Sequence, residues 1–154
     1  MNTYSKSSQD KLNTTHPDLI ILFQEVVRVF DNTILYGYRD SNFQFELYKK
    51  GRIQKNGIWI VSDKSKIVTY KDGIIQKSNH NYYPSRAVDV IPYPINWKDK
   101  ERMYYFAGCV MGIAIQLKED SKIMHNIRWG GDWDKDTEVK DETFLDLCHF
   151  EILI

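Results

Sequence analysis

Only two cysteines, Cys109 and Cys148, occur in 154 residues. That is too few for a disulfide framework, and Cys109, inside an apolar helix-like run, reads as a buried free thiol. Neither sign of charge is in excess, since 21 basic residues balance 21 acidic ones. A neutral chain has no general attraction for a phosphate backbone, so no nucleic-acid partner is expected, although a local basic patch stays open. No apolar run approaches the roughly 18–20 residues of a membrane span, which excludes stable membrane insertion by a helix. The N-terminal stretch MNTYSKSSQDKLNTTHPDL lacks the apolar segment of a secretory signal. Synthesis and retention in a cytoplasm are therefore expected unless something else releases the protein. Internal repeats, low-complexity tracts and linkers are absent as well.

What is present is a chain able to build a core: 42% of residues are hydrophobic and 14% aromatic. One domain over residues 1–154 is expected. Thr15-His16-Pro17-Asp18 has the form of a helix start with proline in the first turn, and Leu19, Leu22, Phe23, Val26 and Phe30 follow at helical spacing. TILYGYR reads as a strand and DSNFQFELYKKG as a helix closed by Gly51. Asn56-Gly57 and Asp72-Gly73 predict two hairpins within a small antiparallel excursion. AVDVIPY reads as a core strand stopped by prolines. The longest helix is predicted over about 98–119, with Met103, Phe106, Val110, Ile113 and Leu117 as its buried stripe. NIRWG and CHFEILI are further strands around the polar turn GGDWDKD. The expected class is α+β: helices packed on a small, mostly antiparallel sheet that carries a cleft.

Four histidines are available: His16, His80, His125 and His149. His16 belongs to a helix start and His125 opens a strand, so both read as capping or solvated residues. His80, Asp89 and His149 make a set that a catalytic zinc takes from a protein, with water in the fourth position. A further carboxylate is then needed to accept the proton of that water, and Asp146 is near His149 in sequence. Residues three apart face opposite sides of an ideal strand, so the chain must bend between Asp146 and His149 for both to share a site. The spacing matches no general metal motif. The competing reading, in which Asp89 caps a strand and both histidines make ordinary hydrogen bonds, stays open at this point.

Taken together, SNHNYYPSRAVDVIPYPINW, IRWGGDWD and DLCHFEI, with HPDL near the start and GYRDSNFQFELYKKG, resemble the L-alanyl-D-glutamate peptidases of bacteriophage endolysins. These belong to the larger group of zinc D-alanyl-D-alanine carboxypeptidase-type enzymes. The resemblance runs from about residue 5 to 152. It implies that His80, Asp89 and His149 bind Zn2+, that Asp146 is the general base, and that Arg39 faces the substrate, assisted by Gln44. Ser78 falls on the same motif as His80 and, with Arg39, Gln44 and Trp129, is a candidate to bind the substrate. Trp129 and Trp133 are candidates to wall the cleft, and Asp132 to hydrogen-bond the amides of its own turn. The loop from His80 to Asp89 is longer than in many relatives, and residues 52–68 match nothing specific. Cys148 stands where relatives often carry proline, and is expected to face away from His149.

The implied substrate is the stem peptide of bacterial peptidoglycan, cut at the L-Ala–D-Glu bond during host lysis. The alternatives are a D,D-carboxypeptidase releasing terminal D-Ala, or a catalytically silent zinc-stabilised wall-binding module. A holin-type permeabilising partner is implied for release to the wall, and a monomer is expected. With no separate wall-binding module expected after HFEILI, a thin Gram-negative type of wall is the better-suited target.

Overall fold

The computed structural model describes residues 1–154. In chain order the elements are helices α1 (Lys6–Leu12) and α2 (Pro17–Val29), strand β1 (Asn32–Tyr36), helix α3 (Ser41–Lys49), strands β2 (Arg52–Lys55), β3 (Ile58–Val61) and β4 (Ala87–Pro92), helix α4 (Lys100–Glu119), and strands β5 (Asn126–Trp129) and β6 (His149–Leu153). Strands β1, β4, β6 and β5 form one sheet in that order, every neighbouring pair antiparallel. β2 and β3 form a separate hairpin. The class is α+β. No helix is long and apolar enough to cross a membrane.

Strand alternation divides the sheet into two chemically different faces. Val88 and Val90 on β4, with Phe150 and Ile152 on β6, join the core formed with α2 and α4. Phe150 meets the ring edges of Phe23 at 5.5 Å and Phe106 at 6.1 Å. The intervening residues Asp89, His149 and Glu151 therefore project to the opposite face, yet they too are buried. On α4, Met103, Phe106, Val110 and Leu117 are buried as the spacing predicts. Ile113 is only half-buried, and Ala107 and Ala114 complete the stripe, because small side chains let the helix approach the sheet.

The structure departs from the local reading in two places, helix α1 and the Asp72-Gly73 turn. Helix α1 carries too little apolar periodicity to be read from sequence; Ser5 caps it, and Ser8 accepts the backbone N–H of Ile34 at 3.2 Å, docking it on β1. His16 caps α2, one of the two roles its place at the helix start offered: its Nδ1 accepts the N–H of Asp18, while Thr15 donates to the carbonyl of Leu12. The Asn56-Gly57 hairpin forms, with both residues at positive φ. No hairpin forms at Asp72-Gly73. There the Asp72 carboxylate accepts the N–H groups of Ile74, Ile75 and Gln76, which curls the segment on itself and denies it a partner strand.

Gly37, after β1, is a point of close approach. A Cβ there would sit 2.3 Å from Thr14 Oγ1 and 2.4 Å from the carbonyl of Lys11. Gly37→Ala is expected to destabilise the fold by about 1–3 kcal/mol through this overpacking, read as a lowered urea midpoint with an unchanged m-value.

Candidate metal centre

Register brings two of the site residues together directly: Asp89 on β4 pairs with His149 on β6. Opposed residues on one face of an antiparallel pair keep their Cβ atoms about 4.5–5.5 Å apart. His80 arrives from a different part of the chain, on the short 3-10 turn Asn79–Asn81. Ser78 and Asn81 close that turn with a reciprocal capping box. The turn is tied to the loop after β1: Arg39 N–H donates to the carbonyl of His80 at 2.8 Å, and Asn81 Nδ2 donates to the carbonyl of Arg39 at 2.9 Å.

The result is a triangle of donor atoms. His80 Nε2 lies 3.2 Å from Asp89 Oδ1, His149 Nδ1 lies 3.2 Å from the same oxygen, and the two nitrogens are 3.3 Å apart. Every outward-facing atom of the three side chains is held. His80 Nδ1 donates to the carbonyl of Gly37 at 2.7 Å, which leaves the Nε2 lone pair facing inward. Glu151 Oε2 accepts from His149 Nε2 at 2.9 Å, which turns Nδ1 inward. The second oxygen of Asp89 is ion-paired with Arg39. Glu151 is held in turn by Asn79 and Arg128. Partners of this kind orient ligands and raise their basicity. The three inward atoms are a set that could hold a metal ion.

Electrostatics agree with this geometry. Burial opposes charge on Asp89, but His80, His149 and Arg39 outweigh it and hold the carboxyl well below the usual range. Burial pushes His80 down, against the pull of Asp89. Burial also opposes charge on His149, but hydrogen bonds to Asp89 and Glu151 prevail and push it up to about 10. Glu151, despite burial, is held at about 2 by His149, Asn79 and Arg128. The centre therefore calls for positive charge between its donors, supplied by a proton on His149 or by a metal ion in its place.

The centre opens onto a cleft of about 780 Å³ that also exposes Asp146, Cys148 and Trp133. Burial pushes the Asp146 carboxyl up, and the negative charge of Asp89 adds to the effect. The bend that the sequence required does occur, because β6 begins only at His149; Asp146 N–H reaches back to the carbonyl of Gly130 at 2.7 Å. A Cβ on Gly130 would meet the Asp146 carbonyl oxygen at 2.3 Å, so the glycine permits this approach. Cys148, lying before the strand, escapes its alternation. It lines the cleft instead of facing away, and its thiol donates to Asp146 Oδ1 at 3.3 Å.

Other residues singled out in the sequence are placed as follows. Arg39 and Ser78 line the cleft, with Arg39 engaged to Asp89. Gln44 does not line it: the side chain is fully buried, and its Nε2 donates to Thr69 Oγ1 and the carbonyl of Lys71. Trp129 is also displaced from its expected role. It pairs with Phe150 in register, turns to the core face, and donates to the carbonyl of Leu147. Trp133, its ring centroid 5.5 Å from that of His149, lines the cleft together with Trp97. Asp132 accepts the amides of Asp136 and Thr137, as a turn residue would. His125 Nδ1 bonds Asp18 at 2.9 Å, tying the start of β5 to α2. Sequence reasoning missed Glu151, although its position two residues after His149 puts it on the same strand face.

A family model described as phage L-alanyl-D-glutamate peptidase matches residues 1–153. No curated protein sequence matches the chain. Among solved structures, the crystal structure of the Serratia marcescens L-Ala D-Glu endopeptidase ChiX is similar, with a TM-score of 0.61 over 97% of this chain and 89% of that one. At 19% identity this likeness is one of fold.

Two outcomes follow for the centre. A metal ion bound there would displace the His149 proton, so zinc titrations at pH 7 in buffers of different ionisation enthalpy should report release of about one proton per ion. Proton-neutral binding would contradict the assigned hydrogen-bonding states. Glu151→Gln should weaken zinc about 10–100-fold in a competition assay with a chromophoric chelator, because the carboxylate behind His149 is lost.

Proposed function

Since the chain belongs to the phage L-alanyl-D-glutamate peptidase family, we propose that it is a zinc-dependent endopeptidase that cuts the peptidoglycan stem peptide between L-Ala and D-Glu during phage lysis of a host. The observation that carries the metal assignment is the donor triangle of His80, Asp89 and His149, with sides of 3.2–3.3 Å. A tetrahedral zinc with bonds of about 2.0–2.1 Å separates its ligands by about 3.3 Å. Two imidazoles and one carboxylate, each fixed by an outer partner, are also the donor types of a catalytic zinc rather than of a closed structural site.

Zinc, when bound, supplies Lewis acidity and makes hydroxide available near neutral pH. The remaining roles fall to the chain itself. Asp146 accepts the proton of the attacking water and returns it to the departing amine. Its raised carboxyl suits both transfers, because a group with pKa nearer the working pH gives up a proton as readily as it takes one. The Cys148 thiol occupies one oxygen of that carboxylate, leaving the other for water. Arg39 neutralises the outer oxygen of Asp89 and fixes its direction. Its guanidinium also lines the cleft, where a substrate carbonyl would meet it. Trp133, beside His149, walls the cleft, one of the two tryptophans the sequence offered for that role. Release to the wall falls to a membrane-permeabilising partner of the holin type.

Mass analysis of products from purified peptidoglycan, with and without chelator, is the test of this reading. New L-Ala C-termini that disappear on chelation are expected; free D-Ala would instead identify a D,D-carboxypeptidase. Asp146→Asn should keep its fold and its zinc while losing about 10²–10⁴-fold in turnover. Undiminished turnover would remove Asp146 from the mechanism.

A further inference from the structure

Charge is unevenly distributed along this neutral chain. Residues 49–77, running from the end of α3 through the β2–β3 hairpin to the turn before His80, carry eight basic residues against two acidic ones. Residues 132–146, which supply Trp133, Phe144 and Asp146 to the same cleft, carry seven acidic residues against two basic ones. Within the basic segment, Lys49 is paired with Glu46 and Lys66 with Asp63. Arg52 is buried over the Tyr48 ring and spends its donors on the carbonyls of Tyr48 and Thr69. Lys50, Lys71 and Lys77 are different: all three are exposed on the cleft and none has a carboxylate partner. The other cleft cations, Arg39 and Arg128, are already engaged to Asp89 and Glu151.

We propose that Lys50, Lys71 and Lys77 form a carboxylate-reading rim that sets the preference of this cleft for acidic peptides. The inference rests on the peptidase reading above. A glutamate whose amine lies in the scissile bond continues the chain through one carboxyl and leaves the other free. The C-terminus of the peptide adds a second negative charge. Of the acidic segment only Asp146 lines the cleft, and Asp89 and Glu151 are already paired with arginines, so the three lysines are the cleft charges left to attract such a peptide. Lysine suits this role: an ammonium on a flexible stem follows a carboxylate without demanding one geometry. At an exposed rim the attraction acts on encounter and ground-state binding, so it belongs in KM rather than in kcat.

The test uses zinc-loaded enzyme and two soluble muropeptides, one with free carboxylates and one with those groups amidated. The variants are Lys50→Glu/Lys71→Glu/Lys77→Glu, the matching triple alanine variant, and Lys55→Glu, which sits in the same basic segment on β2 but off the cleft. The triple glutamate variant should raise KM for the free acid about tenfold with kcat within about twofold, and should abolish the preference for acid over amide. The triple alanine variant should move the same way by less, and Lys55→Glu should change KM less than about twofold. An unchanged KM, a retained preference, or an effect of Lys55→Glu as large as that of the triple variant would overturn the rim. If the unsubstituted enzyme cleaves neither peptide, the peptidase reading fails, and the rim with it.

Discussion

Two imidazole lone pairs and a carboxylate oxygen, buried within 3.2–3.3 Å of one another, repel unless positive charge stands between them. Much of the surrounding structure serves to keep them there. Gly37 and Glu151 each take the outward proton of one histidine, and Arg39 takes the outward oxygen of the aspartate. Without these partners the rings would be free to turn and satisfy themselves. With them, the inward donors are left to a positive charge between them, a proton on His149 or a metal ion in its place. A buried ionic cluster is weak evidence of stability, and often less stable than an apolar replacement. Its retention here is better explained by function.

The same cleft pushes two carboxylates in opposite directions. Asp89, beside two histidines and an arginine, is held ionised. Burial pushes the Asp146 carboxyl up, and the negative Asp89 adds to it. Environments that push like groups apart suit them to different tasks, and in the proposed mechanism one would hold a metal and the other carry a proton. The division follows from where each sits relative to β6: Asp89 pairs with the first residue of the strand, and Asp146 lies on the bend before it.

The sheet separates stability from chemistry by strand alternation. Phe150 and Ile152 bind the helices, while His149 and Glu151 between and beside them build the centre. Changes on one face are thus partly insulated from the other. The segment from α3 to the turn before His80 adds a third component, a basic rim over the cleft. Its fold depends on Gln44 and Arg52, which anchor the loop around Thr69 and Lys71 from beneath.

Local signals determined a good part of this protein. Helical spacing located α2 and α4, the Asn56-Gly57 turn located the β2–β3 hairpin, and the motifs around His80, Asp89, Asp146 and His149 singled out the residues that meet in the cleft. These succeed because periodicity, turn chemistry and residue type are written into neighbouring positions. Tertiary structure decided the rest. The register of β4 against β6 brought Asp89 and His149, 60 positions apart, into contact, and the pairing of Trp129 with Phe150 sent that tryptophan to the core and not to the cleft, where Trp133 stands beside His149. The Asp72-Gly73 turn, equally good on paper, found no partner strand because its own aspartate took up the amides a ladder would need. A strand's partner, and hence the direction of each side chain, depends on which distant segment wins the pairing, and that competition is absent from any local stretch of sequence.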